Sequence, residues 1–209
     1  MAAPTTIPAM FDASVRHWGA RTAVIDERNR VSYQELDALS LAIARSLLAL
    51  GVGRGEMVLG LMRNRVEWIA CFLGCARIGA TYVPLNTWYT AAEIAWTLRS
   101  TRASVVISEP SFLQHDYALT FAGLEPVIAR SAPGEIRGRQ LPDLRALVYL
   151  TRRSPGHSAG SPSWNSGVTS ARPQSLSVPP ASRPRTRPSS FTHPAARPSR
   201  RASSSRTAG

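Results

Sequence analysis

Residues 57–84 read Met57-Val58-Leu59-Gly60-Leu61-Met62, then Arg63-Asn64-Arg65-Val66-Glu67-Trp68-Ile69-Ala70-Cys71-Phe72-Leu73-Gly74-Cys75-Ala76-Arg77-Ile78-Gly79, then Ala80-Thr81-Tyr82-Val83-Pro84. The apolar run 57–62, bounded by polar turns, predicts a strand. Asn64 can start a helix carrying Trp68, Ile69, Phe72, Leu73 and Ala76, which ends near Gly79. Thr81 to Pro84 is a compact second strand. Strand, long helix and strand in that order form a βαβ unit, whose crossover makes the two strands parallel.

The same grammar extends in both directions. Upstream, Phe11, Val15 and Trp18 lie at helical spacing before Gly19. Residues 22–26 predict a strand, Asn29 and Arg30 a turn, and Val31 and Tyr33 the return strand of a hairpin. Ser32 is placed to cap a helix, with Glu35 three residues on as its capping-box partner. Leu36, Leu39, Ile43, Leu47 and Leu50 then form an apolar stripe that stops at Gly51. Downstream, Thr90 caps a helix over 91–99, again with Glu93 at the third position. Residues 104–108 predict a strand and Ser111 the start of another helical segment. Residues 126–129 and 146–150 complete the predicted strands. The expected class is α/β, with βαβ units and a mainly parallel sheet.

The cluster Gly51-Val52-Gly53-Arg54-Gly55 follows a helix and precedes a strand. Phosphate cradles run the other way, from strand through glycines into a helix N-terminus. A helix stop and turn is therefore the better reading. Cys71 and Cys75, four apart in an apolar run, suit one buried helix face. Two cysteines alone make neither a metal site nor, at this spacing, a disulfide. His17, His115, His157 and His193 have no partner at catalytic spacing. Trp68, Trp88 and Trp96 read as packing residues, and Asn86 and Thr90 as turn and cap. No residue qualifies as catalytic, cofactor-binding or metal-ligating.

Composition breaks near residue 150. All thirteen acidic residues lie between Asp12 and Asp143, and the chain contains no lysine. Residues 151–209 hold ten of the arginines, fifteen serines and nine prolines, with Leu176 as the only Leu, Ile or Met. Of the net charge of +12, this segment therefore carries +10. It lacks the apolar area needed to offset the entropy of ordering, so it is expected to be a disordered tail. The expected domains are 1–150 and 151–209. Residues 1–10 show no export signal, and the apolar region 68–85 is broken by Arg77, Gly79 and Pro84. Without a signal or a transmembrane segment, the expected location is cytoplasmic.

The ordered series of short motifs in the first 120 or so residues resembles the adenylate-forming enzymes, the AMP-dependent acyl-CoA synthetase family. It comprises Val31-Ser32-Tyr33-Gln34-Glu35-Leu36, Leu50-Gly51-Val52-Gly53-Arg54-Gly55-Glu56 and Arg63-Asn64-Arg65-Val66-Glu67-Trp68. It continues through Ala76-Arg77-Ile78-Gly79-Ala80, Val83-Pro84-Leu85-Asn86 and Tyr89-Thr90-Ala91-Ala92-Glu93-Ile94, to the strand at Val105. The resemblance implies the N-terminal part of that family's large α/β domain. It also implies a two-step ligase in the intact enzyme, in which a carboxylic acid, ATP with Mg²⁺, and CoA give an acyl-CoA, AMP and pyrophosphate. The family's Ser/Thr/Gly-rich phosphate loop, ribose-binding Asp and catalytic Lys come after the matched segment. This chain has no Lys and no Asp beyond Asp143, and residues 158–170 lack the loop motif. No cofactor is thus expected for the chain itself.

The genetic code offers a reason. Join the last base of each tail codon to the first two of the next. Phe191 into Thr192 then permits Tyr or His, and the following steps through Arg197 permit Thr, Ser, Gly, Ser and Thr. Arg185 into Thr186 permits Asp, followed by Pro, Ala and three aliphatics; Ser199 through Ala202 permit Pro-Lys-Gly. The shifted frame can thus spell the family's phosphate-loop signature. The sequence reading is an N-terminal fragment whose frame shifts shortly after Leu150, inactive in this form. Two other readings stay open. One is a non-catalytic binding protein whose basic tail holds nucleic acid or an acidic partner; nucleic acid is not the expected partner. The other is an intact small nucleotide-binding α/β domain.

Overall fold

The computed structural model describes residues 6–26, 30–132 and 134–150. The predicted turn at Asn29, the tail 151–209, and His157 and His193 lie outside them. The chain opens with α1 (Ile7–Trp18), a turn earlier than its apolar spacing suggested, because Thr6 accepts a hydrogen bond from the Ala9 amide and Pro8 sits in the first turn. Strands β1 (Thr22–Ile25) and β2 (Arg30–Ser32) pair antiparallel. Tyr33 does not extend β2; it begins α2 (Tyr33–Ala49), since the Ser32–Glu35 capping box starts the helix there. Then come β3 (Met57–Leu61), α3 (Val66–Ile78), β4 (Thr81–Pro84), α4 (Ala91–Thr101) and β5 (Val105–Ser108). Thr90 and Glu93 form the second capping box, as read from sequence.

Helix α3 starts later than Asn64. Its N-cap is Arg65, whose guanidinium has no acceptor to cap the first turn and instead donates to two carboxylates. Gly79 ends the helix at φ +72°, a left-handed position that suits glycine. The segment after β5 departs further from expectation. Ser111 begins a short hairpin, β6 (Ser111–Phe112) with β7 (His115–Asp116), and no helix. Asp116 then caps α5 (Tyr117–Leu124) by accepting from the Leu119 amide at 2.8 Å. Residues 126–129 are a 3₁₀ turn (Pro126–Arg130), not a strand. Pro126 has no amide to give a ladder, and the Ile128 amide donates back to Glu125. The last strand is β8 (Ala146–Tyr149).

The main sheet is wholly parallel, in the order β4-β3-β5-β8. The chain moves one way from β3 to β4, then back across β3 to β5 and on to β8. Right-handed crossovers that reverse direction must change faces. Accordingly α3 packs with α1 and α2 on one face, around Ile43, Leu47, Val58, Cys71, Val105 and Val148. Helices α4 and α5 pack on the other, around Leu59, Ile94, Val106, Tyr117, Phe121 and Leu147. Adjacent strand residues alternate between the two cores, so strands covered on both faces read as continuous apolar runs. Among the described residues β4 and β8 form the edges of the sheet.

Three glycines fit only because they lack a side chain, one being Gly74, which packs on Ile43 of α2. A β-carbon at Gly60 would run into the Tyr82 phenol, which lies across β3. One at Gly138 would strike the buried Glu125 carboxylate, which accepts from the Gln140 and Leu141 amides.

Candidate functional site at the carboxyl edge of the sheet

In an open parallel sheet, ligands bind beyond the carboxyl ends of the strands, where the strand order reverses. Here that point lies between β3 and β5. The Arg63-Asn64-Arg65 segment leaves β3, and Glu109 follows β5 directly. The Glu109 carboxylate is 7% exposed and accepts from the Arg63 amide at 2.9 Å and from Arg65 Nη1 at 2.9 Å. Arg63 Nε stands 3.6 Å away. Arg65 also grips Glu67 through Nε and Nη2, at 2.7 Å each. Burial works against the Arg65 charge, but the hydrogen bond and charge of Glu67, with Glu109 behind, keep its pKa above the ordinary value. The switch point thus carries an ion-pair network in which both Glu109 and Glu67 are engaged by arginine.

Beyond β4, Asn86 Oδ1 accepts from the Trp88 amide at 3.0 Å, the turn expected of it. Tyr117 donates to the Thr87 carbonyl at 2.8 Å. His115 lies between Trp88, edge-on at 5.6 Å, and Tyr117, stacked at 6.0 Å. Its Nε2 is buried without a partner. Trp68 packs on Phe72 and Tyr82 as expected, whereas Trp88 and Trp96 are 60% and 66% exposed. Those two are surface residues: Trp88 stands in a turn, and Trp96 falls on the α4 face opposite Ile94, Ala95 and Leu98.

Other sequence candidates hold structural posts. Cys71 and Cys75 are free and buried in α3. Burial pushes both thiols up, Cys75 to about 12, so neither is a ready nucleophile. The Gly51–Gly55 cluster turns the chain from α2 into β3, with Gly51 and Gly55 at φ +77° and +82°. The Val52 amide donates to Leu47 O, and the Gly53 amide to Glu56 Oε2 at 3.0 Å. A carboxylate already fills the place an anion would take, so the cluster does not fit a phosphate. Among the described residues no group of three or more His, Cys, Asp or Glu could hold a metal ion. A groove of about 350 Å³ lies by Ile7, Phe72 and residues 79–82, at the start of β4 and away from the switch point. No helix among the described residues is long and apolar enough to cross a membrane.

The family profile described as AMP-binding enzyme matches residues 11–153. The chain belongs to that family. Bacillus subtilis YngI, whose name describes an acyl-CoA synthetase, is 29% identical over 148 residues, covering 70% of this chain and 27% of that protein. A long-chain-fatty-acid–CoA ligase of Mycobacterium tuberculosis is 40% identical over 78 residues, or 37% of this chain and 16% of the ligase. The crystal structure of the anthranilate CoA ligase AuaEII with anthranoyl-AMP has a TM-score of 0.59 at 21% identity. It covers 72% of this chain and 26% of that one, and supports the fold alone. The chain therefore spans about a quarter or less of the length of these relatives. The α/β fold with its parallel sheet is that of the adenylate-forming enzymes, over their N-terminal region.

Sequence reasoning missed the Glu109 network. Its signal was a Glu-Pro pair placed directly after an apolar strand, but its arginine lies 44 residues upstream.

Proposed function

We propose that residues 1–150 are the N-terminal part of the large domain of an AMP-dependent acyl-CoA synthetase. The intact enzyme would join a carboxylic acid to CoA at the expense of ATP, with Mg²⁺, and would work in the cytoplasm. This chain by itself forms no acyl-adenylate. Residues 151–209 are a separate segment, encoded out of the ancestral frame.

One observation carries the reading. After Leu150 there are no acids and almost no aliphatics, while the shifted frame can spell Tyr-Thr-Ser-Gly-Ser-Thr at the codons of residues 191–197. The site agrees with it: the switch point is filled by Arg65 and Glu109, and the one glycine cluster before residue 150 is occupied by Glu56. What the described residues can do is position strands, not grip nucleotide.

The test is ATP–pyrophosphate exchange by the full chain with a panel of fatty and aromatic acids. No exchange above background is expected, and clear exchange with any acid would refute the inactivity. Sequencing the DNA around codon 150 tests the frame. An absence of codons for the loop signature in the shifted frame ends the fragment reading.

A further inference from the structure

In the pairing of β4 with β3, Tyr82 stands opposite Val58, yet its hydroxyl reaches the place where Gly60 would carry a side chain. The phenol therefore lies along β3, over the one residue of that strand without a side chain. Trp68 meets the ring edge-on at 5.5 Å and itself stacks on Phe72 at 6.4 Å, both from α3. Such spacings suit aromatic pairs, so the ring is well placed. The hydroxyl is not. It is buried, and no described group lies within hydrogen-bonding reach of it. A buried hydroxyl without a partner destabilises the form that holds it there.

The same residue lines the groove of about 350 Å³, together with Ile7, Pro8, Phe72 and Ala76. Turned outward on its edge strand, the Tyr82 ring falls into this groove. Ile7 and Pro8 then give it apolar contact, and its hydroxyl meets water. The space it leaves is bounded by Gly60 and Trp68, has the size of one six-membered ring, and offers no hydrogen-bonding partner. The closed form fills that space with an orphaned hydroxyl, whereas the open form hydrates the hydroxyl and empties the space. A guest ring that enters restores the burial of the closed form without its cost, and so draws the molecule toward the open one.

We propose that Tyr82 gates a binding site between β3 and α3 for a single-ring aromatic group without a polar substituent, entered from the groove beside Ile7 and Phe72. The preference for an apolar ring follows from the orphaned hydroxyl: a guest that carried one into the same place would inherit the same cost. The site lies away from the switch point and rests on neither the family reading nor the inactivity of the chain.

The full chain is titrated with fluorobenzene, and binding is read from the fluorine NMR line of the probe. Saturable broadening is expected with wild type. Under the same conditions 4-fluorophenol binds about tenfold more weakly, on the scale of one unpaired hydroxyl. Tyr82→Phe removes the orphaned group and favours the closed form. It therefore raises the thermal midpoint of the chain while weakening fluorobenzene binding about fivefold. A tyrosine with a packing role alone would shift the midpoint and leave the probe untouched. Gly60→Ala places a methyl on the floor of the site and abolishes binding. If that variant does not fold, Tyr82→Phe and the phenol comparison decide the matter. Three results overturn the proposal: no saturable binding by wild type, binding by Tyr82→Phe equal to wild type, or 4-fluorophenol bound as tightly as fluorobenzene. No ATP or acid enters the assay, so its failure leaves the inactivity reading standing.

Discussion

At the amino end of the sheet, Glu56 and Arg145 tie the turn before β3 to the approach to β8. Arg145 donates to Glu56 at 2.8 and 3.2 Å and to Gly51 O at 3.0 Å, with both side chains about a third exposed. At the carboxyl end, Arg65 and Glu109 make the equivalent tie between β3 and β5, but at 14% and 7% exposure. Trp88 and Leu113, on the loop after β4 and the hairpin after β5, are 60% and 66% exposed. The amino end is finished in itself, with a solvated clamp over a turn. The carboxyl end holds a desolvated clamp, with exposed Trp88 and Leu113 at the same end of the sheet.

The comparison breaks most sharply at Glu109. Glu109→Ala leaves the Arg63 amide without its acceptor and Arg65 with Glu67 alone, and should cost about 1–3 kcal/mol in urea unfolding. A cost no larger than that of Glu56→Gln would show that the two clamps are equivalent after all. Gly60→Ala comes next, because the new methyl must displace the Tyr82 ring between β3 and α3. Overpacking of this kind costs about 1–3 kcal/mol. Combining it with Tyr82→Leu should recover part of the loss, and no recovery would clear the ring of blame.

The amino clamp gives a pH signature. The Arg145 hydrogen bond holds the Glu56 carboxyl below its ordinary value of 4.5, against the opposing effect of burial. A carboxylate with a lowered folded pKa contributes stability in full above 4.5, and loses it as pH falls through the folded value. Wild type should therefore lose stability on acidification below that point, and Glu56→Gln should flatten that part of the curve. At neutral pH the pair is worth about 1 kcal/mol or less, given its exposure. An unchanged acid limb in the variant would remove Glu56 from the account. The smallest effect is local: Ser32→Ala removes the cap of α2 and should cost about 1 kcal/mol, with faster amide exchange at the first turn.

Elements coded by nearby residues were readable. The capping boxes at Ser32 and Thr90 sit where Glu35 and Glu93 reach their own N-caps, within three residues. The strands β3, β4, β5 and β8 declared themselves as short apolar runs between turns. The stretch from Ser111 to Arg130 did not, because its apolar content fits helix and strand alike and the decision fell to Asp116, Pro126 and the packing of Tyr117 and Phe121. Exposure of Trp88 and Trp96 was hidden for the same reason: an aromatic residue is apolar wherever it stands. Nothing local pairs Arg65 with Glu109, or Glu56 with an arginine 89 residues away.

By itself the amino-acid sequence determined the α/β class, the capped starts of α2 and α4, the family, and the change of composition at residue 150, since each depends on side chains close together along the chain. Tertiary structure alone decided which carboxylates meet which arginines, which tryptophans face water, and that Leu113 is held in a left-handed turn at the open edge. Those outcomes follow from crossovers that bring distant segments side by side, and spacing along a chain carries no record of that distance.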